Sequence, residues 1–134
     1  MLKLKIVSMA ILFLAGCGGG VNRDATYAVK GKVIYKGSPV AQANVMFIPE
    51  NGRPASGTSD DQGEFTLTTY SNSDGAQSGE HQVLITKLEP ASPSDPYATR
   101  KSLIPEKYGE LKTSPLKQSI KAGDNPEITI ELKD

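Results

Sequence analysis

A chain of 134 residues with 15 Lys and Arg against 15 Asp and Glu has the length of about one domain and carries no excess of either sign. No run of Lys or Arg gathers along it, which argues against nucleic acid as a partner. A single Cys leaves no disulfide partner, so the fold rests on its apolar core, which a chain of this size can bury.

Lys3 and Lys5 precede an apolar run from Ile6 to Leu14 that only Ser8 interrupts, and the small residues Ala15 and Gly16 follow. That order is a secretory signal. The run is far short of the roughly 20 residues that a spanning helix needs. Gly18-Gly19-Gly20 then stands where a stop-transfer signal would be. Leu14-Ala15-Gly16-Cys17 resembles the lipobox of bacterial lipoproteins. The resemblance implies a signal peptide of residues 1–16 and a mature N-terminus at Cys17, acylated on its thiol and its amine. Membrane lipid is then the partner of Cys17, since two or more chains anchor stably where one binds only reversibly. The competing reading is ordinary cleavage nearby, with Cys17 left as a free thiol. Gly18 replaces the Asp that holds lipoproteins at the inner membrane of two-membrane bacteria, which favours the outer membrane. Residues 17–26 form the lipidated Cys and a flexible tether. Gly18 to Thr26 spans at most about 30 Å, which keeps the domain of residues 27–134 near the membrane.

From Tyr27 the apolar period is two. Val29, Gly31, Val33 and Tyr35 alternate with Lys30, Lys32, Ile34 and Lys36, as in a half-buried strand that Lys36-Gly37-Ser38-Pro39 ends. Asn44 to Ile48 carries apolar residues on both faces, which predicts a strand covered on both sides or partly covered by a loop. Ala55 to Ser59 predicts a short edge strand. Asp60-Asp61-Gln62-Gly63 is a turn, and Glu64 to Tyr70 then places Phe65, Leu67 and Thr69 inward. Ser71 to Gly79 reads as a polar loop. His81 to Leu88 is the next strand, with Val83 and Ile85 on the core side. Leu116 to Lys121 and Glu127 to Lys133 complete the set, with Leu116, Ile120, Ile128, Ile130 and Leu132 inward. The fold expected is all-β, an antiparallel Greek-key β-sandwich of about seven strands.

Val29-Lys30-Gly31-Lys32-Val33, Gly37-Ser38-Pro39-Val40-Ala41-Gln42-Ala43-Asn44-Val45 and Asp60-Asp61-Gln62-Gly63-Glu64-Phe65 resemble the carboxypeptidase regulatory-like, or transthyretin-like, β-sandwich. Gly79-Glu80-His81-Gln82-Val83 resembles its later strand start, with His81 where that family carries Tyr. The resemblance covers most of 27–134 and implies the fold far more than an activity. Small lipoproteins of this type are also similar through Leu103-Ile104-Pro105-Glu106-Lys107-Tyr108 and Ser114-Pro115-Leu116.

Candidates for chemistry are few. The carboxylates of Asp60, Asp61 and Glu64 around Gly63 could hold calcium, but they lack the twelve-residue ligand spacing of an EF-hand, and a turn explains them. His81 is the sole His and has no recognisable catalytic or metal-ligand partner, so it reads as a half-buried side chain at a strand end. No G-x-S-x-G nucleophile elbow is present. The urate-pathway hydrolase of transthyretin-like fold uses several His and Arg residues and a Tyr-rich end, which this chain lacks. No catalytic residue, metal or cofactor is expected.

Glu89 to Ser114 is a long connection holding Pro90, Pro93, Pro96 and Pro105. Connections this long are usually functional or disordered. Pro90 to Pro96 reads as extended, and Pro105 as opening a short helical turn. Tyr97, Leu103, Ile104 and Tyr108 either cover a sheet face or form a docking surface. The function expected is a membrane-anchored, non-enzymatic binding or structural module of the cell envelope, with an envelope protein or polysaccharide as its further partner. A carbohydrate-binding module is the alternative, and an unrecognised enzyme stands third.

Overall fold

Period-two alternation fixes which face of each strand is buried, and the turn residues fix where each strand stops. A computed structural model describes residues 23–134. Ten strands follow in chain order: β1 (Thr26–Tyr27), β2 (Lys30–Tyr35), β3 (Ser38–Pro39), β4 (Asn44–Pro49), β5 (Ala55–Thr58), β6 (Glu64–Thr66), β7 (Ala76–Gln77), β8 (Gly79–Thr86), β9 (Lys117–Ile120) and β10 (Ile128–Leu132). A single 3-10 helical turn, Glu106–Gly109, lies between β8 and β9, directly after Pro105.

β2 is the spine of one sheet. β6 pairs antiparallel with its first half, from Lys30↔Thr66 to Lys32↔Glu64, and β3 with its end, at Ile34↔Pro39 and Tyr35↔Ser38. Lys36 and Gly37 both have positive φ, at 52° and 77°, the backbone that a tight two-residue hairpin requires. The second sheet runs β5-β4-β8-β9, antiparallel throughout. β5 is an edge strand, as its sequence suggests.

One pair departs from antiparallel order. β10 lies parallel to β2, from Ile128↔Gly31 to Leu132↔Tyr35. No hairpin joins these two strands; the chain passes through the whole second sheet between them, the long crossover that a parallel pair needs.

The two sheets enclose one core. Val33, Phe65, Ile130 and Leu132 come from the first, and Val45, Phe47, Val83 and Ile85 from the second. The Phe47 and Phe65 rings meet across it at 6.3 Å, tilted by 55°. Gly31 opposes Phe65 in the β2–β6 register, and a Cβ at Gly31 would lie 2.4 Å from the Phe65 ring. The glycine in this strand therefore makes room for the aromatic that closes the core above it.

Two local expectations are corrected. Ser71 to Gly79 is not only a loop, because β7 lies within it and pairs antiparallel with β1. The tether predicted to reach Thr26 is already engaged by Asp24, whose carboxylate accepts a hydrogen bond from Gln77 Nε2 at 3.1 Å. The outer face of β4 is partly covered, one of the two arrangements its sequence predicts: Met46 is 41% exposed, Ile48 is half-buried, and Gly109 of the 3-10 turn borders the space over Met46.

Candidate functional site

The Asp60 turn is built for geometry. Asp60 Oδ1 accepts from the N–H groups of Gln62 and Glu64, both at 2.9 Å, and Gly63 takes the positive φ that completes the turn. Among the described residues no three His, Cys, Asp or Glu gather as a metal site would require.

His81 is placed differently from its expected half-buried position. It is 1% exposed, on the core face of β8 with Val83 and Ile85, and its ring lies 5.9 Å from that of Phe47. Nε2 donates to the Gln77 carbonyl at 2.8 Å. Nδ1 is buried without a partner. The ring packs as an aromatic core residue with one polar tie.

The long connection divides. Leu88 and Ser102 form a β-bridge, flanked by Glu89 N–H to Lys101 O at 2.9 Å and Leu103 N–H to Lys87 O at 2.8 Å. Residues 90–100 loop out beyond this neck, and Tyr97 is 96% exposed. Past the neck, Ile104 and Tyr108 are buried in the core cluster, whereas Leu103 is 46% exposed. Tyr108 Oη donates to Lys133 O at 2.8 Å and accepts from Lys133 N–H at 2.7 Å, which ties the turn to the end of β10. Ser114 Oγ donates to Val83 O at 2.6 Å and fastens the far end to β8. Of the four residues considered for docking, Ile104 and Tyr108 are therefore packing residues, and Tyr97 and Leu103 remain on the surface.

Leu103 borders a feature that spans the outer face of the second sheet. A groove of ≈ 390 Å³ lies over Asn44, Met46, Ser56, Thr58, Leu84 and Thr86. It continues past Thr86 and Gly109 to Leu88 and Arg100, and from there to Lys87 and Leu103. Met46, Leu88 and Leu103 are its exposed apolar side chains; Leu84 and Pro90 also line it, beside the polar groups of Asn44, Ser56, Thr58 and Thr86, the cations of Lys87 and Arg100 and the carboxylate of Glu89. The alternation that buries Val45, Phe47, Val83 and Ile85 is what turns Met46, Leu84 and Thr86 outward.

A second cluster sits where the described chain begins. The Arg23 and Arg53 guanidinium groups each lie 5.5 Å from the centroid of the Tyr70 ring. Gln77, itself buried, donates from Nε2 to Tyr70 Oη and to Asp24 Oδ2, both at 3.1 Å. Asp74 holds the same loop from below: its carboxylate accepts from the N–H groups of Thr69, Tyr70 and Ser71 at 2.7 to 2.9 Å. Partial burial pushes the Asp74 carboxyl up, but these N–H groups outweigh it and hold it below the usual carboxylate range. Sequence reasoning missed this cluster, because its members lie far apart along the chain and no local period links them.

At the other end, Tyr35 Oη donates to Asp134, and Lys36 Nζ lies 3.4 Å from the same carboxylate. The Tyr35 bond first, then the Lys36 charge, hold the Asp134 carboxyl below its usual range, and the same bond raises the Tyr35 hydroxyl. Lys36 and Asp134 are exposed and Tyr35 is half-buried with its hydroxyl at the surface, so this trio is a surface contact.

Cys17 and the residues before it, Leu14, Ala15 and Gly16, lie outside the described residues. No helix among the described residues is long and apolar enough to cross a membrane. No family model, no curated protein and no solved structure matches this chain.

Proposed function

We propose that this chain is a lipid-anchored, extracytoplasmic β-sandwich that serves the cell envelope as a non-enzymatic binding or structural module. The anchor reading is supported by the leader, the Leu14-Ala15-Gly16-Cys17 sequence and the short span between Cys17 and the first engaged side chains. The observation that carries the binding reading is the groove on the second sheet, where Met46, Leu88 and Leu103 stay exposed beside polar and charged groups. An apolar strip with a polar surround is the common form of a protein interaction surface. An envelope protein is the partner that fits it. The outer membrane is the favoured location, on Gly18. Residues 27–134 form the proposed carboxypeptidase regulatory-like unit, on the motifs around Gly31, Pro39 and Gly63.

The carbohydrate reading has one feature in its favour, the open ring of Tyr97. The other tyrosines give it no platform: Tyr108 is buried, Tyr27 and Tyr35 pack against the core, and Tyr70 is flanked by two arginines.

Metabolic labelling with palmitate, followed by membrane fractionation, tests the proposal. The full chain should take up label and sediment with membrane, and Cys17→Ala should abolish labelling. A photocrosslinker at Leu103 in the labelled protein should then capture an envelope protein that the same group at Tyr97 does not. An unlabelled wild-type chain removes the anchor, and capture of polysaccharide at Tyr97 alone replaces the protein partner with a sugar.

A further inference from the structure

The chain enters its folded domain through a charged cluster, and the position of that cluster gives it a partner. Arg23 is six residues beyond Cys17, so an extended chain places it at most about 20 Å from the acylated terminus. Arg53 belongs to the turn between β4 and β5, yet its guanidinium stands over the same Tyr70 ring as that of Arg23. Two cations at one ring repel each other and gain when an anion joins them. Among the described residues neither guanidinium has a carboxylate within 4.0 Å. Asp24 and Asp74 are the nearby acids, and their carboxylates are already hydrogen-bonded, Asp24 to Gln77 and Asp74 to three backbone N–H groups. Among the described residues the two guanidinium groups therefore keep unshared donors, in a chain whose sequence after the leader is acidic by two charges.

We propose that Arg23, Tyr70 and Arg53 form a phosphate-ester site that seats the domain on the anionic headgroups of the membrane holding its anchor. The planar guanidinium matches a phosphate with paired N–H donors, and the Tyr70 ring, fixed at its hydroxyl by Gln77, positions both. This inference rests on the Cys17 anchor, which puts the site within reach of the bilayer. Each cation beside an anionic surface contributes about fivefold in affinity, and Asp24 and Asp74 offset part of the gain from two. The seat fixes the orientation of the sandwich relative to the membrane.

The test uses the full lipidated chain, checked by palmitate labelling and placed in vesicles of phosphatidylglycerol or phosphatidylcholine. Amide hydrogen exchange is followed at residues 50–54 and 68–77, with residues 81–86 of β8 as the control for folding. Exchange in the two segments should slow about tenfold on phosphatidylglycerol relative to phosphatidylcholine. The contrast should vanish in the R23Q/R53Q double variant with β8 unchanged, and in about 1 M salt, where screening shortens to roughly 3 Å. Equal exchange on both lipids in a labelled protein overturns the seat and leaves the anchor standing. Failure of labelling overturns both. Protection by inorganic phosphate on phosphatidylcholine, equal to that on phosphatidylglycerol, makes the ligand a free anion and overturns the membrane seat.

Discussion

The two halves of the connection between β8 and β9 differ in composition and in fate: residues 90–100 hold Pro90, Pro93 and Pro96 with one aromatic, Tyr97, whereas residues 103–114 hold Pro105 with Leu103, Ile104, Tyr108 and Leu111. Residues 90–100 stand away from the body, held by local contacts such as Asp95 Oδ1 to Tyr97 N–H at 3.1 Å. Residues 103–114 are stitched to β8 and β10 through Ile104, Tyr108 and Ser114. What separates them is capture. In the second half, apolar side chains at the right spacing enter the core, and polar groups find backbone partners there. In the first half the one aromatic side chain, Tyr97, has neither. Whether a connection is fixed therefore follows from the number of its groups that a sheet can satisfy.

The contrast breaks most sharply at its two tyrosines. Tyr108→Ala removes a buried ring and both hydrogen bonds to Lys133, and should cost about 3–5 kcal/mol in chemical denaturation. Tyr97→Ala should stay within about 0.5 kcal/mol, as surface changes do. Similar losses at the two positions would mean that the first half packs as tightly as the second. Tyr108→Phe separates the ring from the hydroxyl, and should lose only about 1 kcal/mol.

The same distinction decides how much of the molecule was legible in its sequence. Val33, Phe65, Val83, Ile85 and Ile130 were readable because a period of two is a local property of the strand. The partner of β10 was not, since Ile128 meets Gly31 across nearly the whole chain and no turn announces the register. His81 carried a signal that its chemistry masked: it alternates in phase with Val83 and Ile85 and so faces the core. β1 and β7, two residues each, are too short to show any period. The groove was half legible, in Leu103 and in the outward face of β4, while the Arg23–Tyr70–Arg53 cluster exists only once the chain has folded.

Asp74 sharpens the comparison from outside the connection. Its loop is as polar as residues 90–100, yet three N–H groups converge on one carboxylate. Asp74→Ala should cost about 1–3 kcal/mol at neutral pH. The sign of its pH dependence follows from its lowered titration. A carboxyl more acidic when folded contributes its full stability above the unfolded value near ~3.9, and loses it as pH falls through the folded value. The stability gap between wild type and Asp74→Ala should therefore be constant at neutral pH and close as the solution is acidified below about pH 4. A gap that persists unchanged into acid would mean that the N–H groups do not depend on the carboxylate charge.

The smallest expected effect is the most telling about residues 90–100. The neck at Leu88 and Ser102, with its flanking backbone bonds, should hold whatever lies beyond it. Replacing residues 91–99 by a short Gly-Ser link should then shift stability by no more than about 0.6 kcal/mol, the scale set by halving a loop. In the intact chain the amides of 91–100 should exchange fast, while those of Leu103 and Tyr108, bonded to Lys87 O and Pro105 O, should be protected. A loss of several kcal/mol on excision would place the segment among the packing elements and erase the contrast. A stable domain that no longer captures its partner would give the segment a binding role with no structural one. The excised chain separates the two because the neck, rather than the excursion, carries the connection.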